Sequence, residues 1–117
     1  MDSSWQINWA KQSLLIDPWL IGSEIDLMPS FNKQWHRTKP VSIDSISNYD
    51  AIVISQHFSD HCHEETLQKL DTKMILTTRK GARRLKKKIN LDSPLVIPSL
   101  ESGNWLHLGA LSLCLLP

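Results

Sequence analysis

The stretch NYDAIVISQHFSDHCHEETLQKL, residues 48–70, decides the fold because its residue pattern changes from strand-like to polar to helical. It contains AIVI, residues 51–54, a short apolar and mostly β-branched run that is typical of a strand buried on both faces. The polar segment SQHFSDHCH, residues 55–63, follows directly. Beyond it, Leu67 and Leu70 recur at helical spacing with polar residues between them. The pattern therefore predicts a buried strand, a polar loop and a helix, with the loop at the carboxyl end of the strand, where open α/β sheets bind ligands.

Short strands and helices alternate along the rest of the chain. Alternating apolar residues predict a hairpin from strands 5–9 and 13–16, joined by the polar turn 10–12. Residues 22–42 contain glycine and proline without a clear period and are predicted to be a long loop. The remaining predicted elements are strands at residues 73–76 and 95–97, a helix capped by Thr78 that runs to Ile89, and a closing hairpin at residues 105–108 and 111–116. We therefore expect residues 1–117 to form a single α/β layered domain.

The composition excludes several classes of protein. Apolar residues make up 41% of the 117 residues and charged residues 21%, so we expect a packed core rather than a disordered chain. A formal net charge of +1 gives no overall attraction to nucleic acid or to an anionic membrane. The sequence has neither a secretory signal nor a long uninterrupted apolar run, so we expect no membrane span. Two cysteines are too few for a disulfide framework, which favours a cytoplasmic location.

Two motifs and the order of the elements carry a resemblance to a known family. LLIDPWL, residues 14–20, is a predicted strand that ends in Asp17 and a proline, and SQHFSDHCH contains the adjacent pair Asp60 and His61. Together with the order of elements, they resemble the N-terminal half of the metallo-β-lactamase superfamily, in particular its lactonase-like and phospholipase-like branches. The resemblance implies a partial αββα sandwich, the first sheet with its flanking helices. It also implies that this chain is a truncated domain.

The polar loop departs from the metal motif of that superfamily, which reads His, any, His, any, Asp, His. Asp60 and His61 match the last two positions, whereas Gln56 and Phe58 stand where the family has its first two histidines. Residues two apart in an extended segment point the same way, so we expect His57, which lies between them, to point elsewhere. Gln56 offers only a weak oxygen ligand, and Phe58 offers none. The first metal position is therefore expected to be lost.

The loop keeps two residues that correspond to half of a second metal position in that superfamily. The resemblance implies that Asp60 and His61 are metal ligands and that Asp60 also orients the attacking water, with Gln56 and His57 as possible further ligands. Two ligands are fewer than the three or four that a zinc ion takes in proteins, so we expect low occupancy by any divalent metal, whether Zn, Mn or Fe. The alternative interpretation is a helix-terminal aspartate beside a surface histidine.

The residues around this pair have competing interpretations as well. Asp17 lies near the active-site floor in the family that the chain resembles, but an aspartate at a strand end commonly hydrogen-bonds the following turn, and we expect that structural role. His57, Cys62 and His63 could join His61 in a site for a soft divalent metal. We favour solvated loop histidines beside a buried thiol.

The resemblance implies metal-assisted hydrolysis of a small-molecule ester, lactone or phosphodiester, and we expect this chain to be weakly active or inactive. A non-catalytic binding or scaffold domain is the alternative. A weaker alternative is a small nucleic-acid-binding protein that uses RKGARRLKKK, residues 79–88, which holds seven of the 13 basic residues. Because this run lacks interleaved aromatic residues, we interpret it as a solvated helix face and do not expect a nucleic-acid partner.

Five tryptophans are many for a chain of this length, and tryptophan is chiefly a core or interface residue. An isolated half-sandwich exposes sheet surface that a complete fold covers. A homo-oligomer formed through that exposed surface is therefore among the expected partners.

Overall fold

The structure is a computed structural model that describes residues 4–25, 33–36, 38–46, 48–71, 74–89, 96–97 and 103–114. The strands are β1 (Trp5–Trp9), β2 (Gln12–Ile16), β3 (Ser23–Ile25), β4 (Lys33–Trp35), β5 (Ala51–Ile54), β6 (Met74–Thr77), β7 (Val96–Ile97), β8 (Trp105–Leu108) and β9 (Leu111–Cys114). The helices are α1 (Glu64–Lys69) and α2 (Arg79–Ile89), with a short 3-10 turn at Ile43–Ser45. The predicted α/β class is confirmed.

The main sheet has five strands in the order β1-β2-β5-β6-β7. The first pair is antiparallel, and the other three pairs are parallel. The predicted opening hairpin is confirmed, although β2 begins at Gln12, one residue earlier than expected. Its turn residues Ala10 and Lys11 both have positive φ values, 46° and 65°. A two-residue turn with positive φ at both positions matches the twist of the strands that it joins.

The two faces of this sheet are covered by different layers. Leu15, Ile52 and Ile75 lie in the core cluster that also contains buried residues of both helices. The opposite face presents Leu14, Val53 and other apolar residues to the closing hairpin. The hairpin side chains that pack there are Leu106, Leu108, Leu111 and Leu113. The main sheet therefore lies between a helical layer and the β8-β9 hairpin, because alternate residues of each buried strand point to opposite faces.

Both helices lie where the sequence predicts them. Leu67 and Leu70 are buried, which confirms the apolar side predicted for α1. The backbone N–H of Gly81 donates to Thr78 Oγ1 at 3.1 Å, so Thr78 caps α2. A Cβ atom on Gly81 would overlap Thr77 Oγ1, which shows how closely the first turn of α2 approaches β6.

The basic face of α2 is largely exposed, as the solvated-face interpretation requires. Leu85 is buried beneath it, and Arg84 forms an ion pair with Glu64 of α1 at 2.9 Å. Neither helix in the described part of the chain is long and apolar enough to cross a bilayer.

The prediction of a long loop over residues 22–42 is wrong for two of its segments. Ser23–Ile25 and Lys33–Trp35 form an antiparallel two-stranded sheet, with Glu24 opposite Gln34. Each strand has only three residues, too few for a period to appear in the sequence. The strand predicted at 73–76 lies at Met74–Thr77, and the parts of the predicted elements at residues 73, 95 and 115–116 lie outside the described residues.

Not all tryptophans are core residues. Trp19 is buried, whereas Trp5, Trp9 and Trp105 are each about 65% exposed. Ile7 lies between the first two exposed rings and pairs with Leu14 across the hairpin. Directly opposed residues share a face, so these β1 side chains extend the apolar surface onto which the closing hairpin packs.

Candidate functional site

The site lies where β2 and β5 end. These strands are parallel neighbours, with Ile16 opposite Val53, so the residues that follow them meet at one edge of the sheet. Asp17 follows β2 and has a φ of 44°, a left-handed conformation that aspartate tolerates better than most residues. Its N–H donates to the Val53 carbonyl at 2.9 Å, which holds the turn against β5.

The buried carboxylate of Asp17 organises the polar loop. Its Oδ1 accepts a hydrogen bond from the Ser55 N–H at 2.7 Å, and its Oδ2 accepts a second from the Ser55 hydroxyl. The same Oδ2 lies 2.8 Å from His61 Nδ1. The expectation that Asp17 hydrogen-bonds its own turn is therefore wrong, because its partners belong to the loop that follows the neighbouring parallel strand.

The contact with Asp17 fixes the state of the His61 ring. A carboxylate only accepts hydrogen bonds, so Nδ1 of His61 must be the protonated nitrogen. In the neutral ring, Nε2 then carries a lone pair, which can bind a cation or accept a proton. This atom lies 3.7 Å from Asp60 Oδ2, and both side chains are about one quarter exposed. The structure thus brings His61 and Asp60 together at a surface that solvent can reach.

The other candidate ligands in the loop have different surroundings. His57 stacks on Phe58, with ring centroids 4.5 Å apart, and Gln56 is exposed. Within the described ranges, no group of three or more His, Cys, Asp or Glu side chains is placed to bind one metal ion.

His63 is not the solvated loop residue that we expected. Its side chain is buried, and its Nδ1 accepts a hydrogen bond from the Thr66 N–H at 3.1 Å, so His63 is the N-cap of α1. Asp60 is therefore not the residue that caps this helix. Burial is the main cause that lowers the pKa of His63, and the neighbouring His36 adds to this effect, whereas Glu65 and Glu64 oppose it. A cap that accepts through an imidazole nitrogen requires this neutral ring.

Cys62 is the buried thiol that the sequence predicts. Burial raises its pKa to about 12, although the guanidinium of Arg84 acts in the opposite direction. The thiol is therefore neutral near pH 7, where neither a nucleophile nor a metal-binding thiolate forms readily.

Comparison with known proteins agrees with the geometry at the level of the superfamily. A family model described as a beta-lactamase superfamily domain matches residues 1–112. The chain belongs to the beta-lactamase superfamily. No curated protein and no solved structure matches the chain significantly. The mixed α/β fold is consistent with a partial beta-lactamase-fold domain.

Beta-lactamase superfamily domains often bind divalent metals, so the donor set of this chain can be tested against that role. Asp60 and His61 supply two donors, and Asp17 engages the opposite nitrogen of the same imidazole. A catalytic zinc ion normally takes three protein ligands. The described residues therefore do not fit a complete metal site.

One member of the site was missed in the sequence. Ser55 donates to Asp17 from both its backbone and its hydroxyl, and it is the first residue after β5. Its position at the end of a buried parallel strand was the available signal. The identity of its partner depended on the pairing of β2 with β5.

Proposed function

We propose that this chain is a hydrolase-like domain in which Asp17, Asp60 and His61 form a partial active site. The observation that carries the proposal is the hydrogen bond from His61 Nδ1 to the buried Asp17, which leaves Nε2 as the acceptor atom beside Asp60. The proposed substrates are small esters, lactones or phosphodiesters. We also propose that the domain is related to the lactonase-like or phospholipase-like branches of the superfamily.

The residues of this chain can supply one part of a hydrolytic reaction. His61 Nε2 can accept a proton from a water molecule, and the Asp60 carboxylate can accept a hydrogen bond from the same water and orient it. Positioned proton transfer of this kind accelerates a reaction by about 10²–10⁴-fold, far below what complete enzymes achieve. We therefore expect weak activity from this chain.

Activity is tested with an activated ester, a lactone and an activated phosphodiester. The rate above background should be small and should be lost in His61→Ala and in Asp60→Ala. His57→Ala is the matched control, because this histidine lies in the same loop without joining the pair, and it should keep the rate. A rate that persists unchanged in His61→Ala would sink the proposal of a partial active site.

Metal binding is tested separately, because two donors predict weak affinity for Zn, Mn or Fe. Titration calorimetry and metal analysis of the purified protein should detect at most one weak site that disappears in His61→Ala and remains in His57→Ala. Equal binding by the parent and by the His61→Ala variant would show that the metal lies elsewhere.

A non-catalytic binding or scaffold domain is the second candidate. It is favoured by the lack, among the residues that the structure describes, of any cluster with three metal-binding side chains. The same experiments separate the two candidates. A folded parent protein with neither His61-dependent hydrolysis nor His61-dependent metal binding would favour the scaffold.

A further inference from the structure

A cavity of about 270 Å³ lies at the edge of the main sheet, and Asp17, Asp60 and His61 are not among the described residues that line it. Its floor is formed by β1 and β2, and its outer wall by the segment of residues 38–46. This is the face of β2 on which Leu15 joins the helix-side core. The volume corresponds to about nine water molecules at ~30 Å³ each, enough for a ligand of about ten non-hydrogen atoms.

The lining is apolar on the inside and open at the mouth. Leu15, Leu20 and Trp19 are buried and form the inner surface, whereas Val41 is exposed at the rim. A hydrocarbon chain placed there would replace water against aliphatic and aromatic carbon. Burial of apolar surface of this kind is the main source of affinity in small-molecule sites.

The charge in the lining has one sign. Lys39 contributes an ammonium group, and His36, whose ring lies 4.3 Å from the Trp19 ring, contributes an imidazole. The described residues that line this cavity include no carboxylate. The exposed ammonium group of Lys39 therefore favours an anion at this cavity.

We propose that this cavity binds a small amphipathic monoanion, a medium-chain carboxylate whose chain packs against Leu15, Leu20 and Trp19 and whose carboxylate pairs with Lys39. The apolar wall disfavours a fully hydrated ion such as inorganic phosphate, because burying such an ion leaves most of its oxygens without partners. A single ammonium group matches one carboxylate. The site shares no lining residue with the proposed active site and does not rest on the proposed function.

The test is titration of the whole chain with octanoate, with binding monitored by calorimetry and by tryptophan fluorescence. Two matched ligands separate the contributions: 1-octanol has the chain without the charge, and acetate has the charge without the chain. Octanoate should bind to one saturable site, and each of the other two should bind at least about tenfold more weakly, because each lacks one of the two interactions.

The variants then locate the site. Lys39→Gln should weaken octanoate binding about tenfold through loss of the charge-assisted pair. Lys11→Gln removes an exposed lysine that does not line this cavity and should leave the affinity unchanged. His61→Ala should also leave octanoate binding unchanged, so failure of the proposed active site and failure of this site give different results.

Three results would overturn the proposal. One is the lack of saturable octanoate binding below the concentration at which octanoate forms micelles. Another is equal affinity of the parent and Lys39→Gln for octanoate. The third is acetate binding as tight as octanoate binding, which would mean that the apolar lining contributes nothing.

Discussion

Replacement of Asp17 by asparagine tests the central contact of the site with little change in shape. The two side chains have nearly the same volume, and asparagine also tolerates the positive φ of this position. Aspartate accepts three hydrogen bonds here, two from Ser55 and one from His61. Asparagine has one accepting oxygen and one donating NH₂ group. If its oxygen keeps the bond to the Ser55 N–H, its NH₂ group faces His61 Nδ1.

The expected cost follows from these bonds. A hydrogen bond to a charged group contributes about 1.5–3 kcal/mol, and a neutral one about 1 kcal/mol. Asp17→Asn weakens three such bonds, but it also removes the cost of burying a charge, which offsets part of the loss. We therefore expect the free energy of unfolding to fall by about 2 kcal/mol. For a chain of this size, that loss lowers the midpoint of thermal unfolding by about 8 °C.

The more specific effect concerns the His61 proton. Opposite a donating NH₂ group, Nδ1 of His61 must become an acceptor, so the proton of the neutral ring moves to Nε2. The acceptor atom beside Asp60 is then lost, and His61-dependent metal binding should fall by about 10–100-fold. Nitrogen NMR of the histidine rings reports the tautomer directly, and urea unfolding reports the stability.

Asp50→Asn is the matched control. Asp50 is exposed, and its carboxylate accepts a hydrogen bond from the Ser13 N–H at 2.7 Å at the opposite end of the same strands. It should cost less than about 1 kcal/mol and leave the His61 tautomer unchanged. Retention of the Nδ1 proton on His61 in Asp17→Asn, at pH values where the ring is neutral, would refute the reasoning.

Three other predictions concern stability and reactivity. The folded-state pKa of His63 is lowered, so its contribution to stability is complete above the unfolded pKa of about 6.5 and is lost as the pH falls below that value. Urea unfolding from pH 7 to pH 5 should show this loss of stability. The loss should be smaller in His63→Asn, because asparagine can cap the helix and does not titrate. Cys62, with a thiol pKa of about 12, should resist a thiol reagent at pH 8 in the folded protein while the half-buried Cys114 reacts first; equal labelling rates would contradict its burial. Gly81→Ala should destabilise the protein by about 1–3 kcal/mol despite the higher helix propensity of alanine, because the Cβ of the alanine would overlap Thr77 Oγ1. A double-mutant cycle tests the cause: the loss of stability from Gly81→Ala should be smaller when Thr77 is replaced by alanine.

Predictions for the strongly patterned elements were confirmed, including the short strands β5 and β6 and the closing hairpin, whereas the prediction of a loop over residues 22–42 missed two strands. The strand Ala51–Ile54 was recognisable because a strand buried on both faces consists of consecutive apolar residues. The start of α2 was recognisable because threonine is a common N-cap residue. The three-residue strands β3 and β4 gave no such signal. His63 was misjudged because the sequence shows a polar residue in a polar loop. Its burial depends on the packing of α1 and of the segment around Trp19.

The sequence by itself determined the α/β alternation and the strand-loop-helix unit, whereas the interest in Asp60 and His61 came from the family resemblance. It determined the first two features because they depend on neighbours within a few residues. The tertiary structure alone decided that Asp17 reaches Ser55 and His61, which follow it by 38 and 44 residues. That contact depends on the parallel pairing of β2 with β5, which sets their ends side by side. No local pattern encodes the distance between two strand ends, and for this reason the orientation of His61 could be read only from the folded chain.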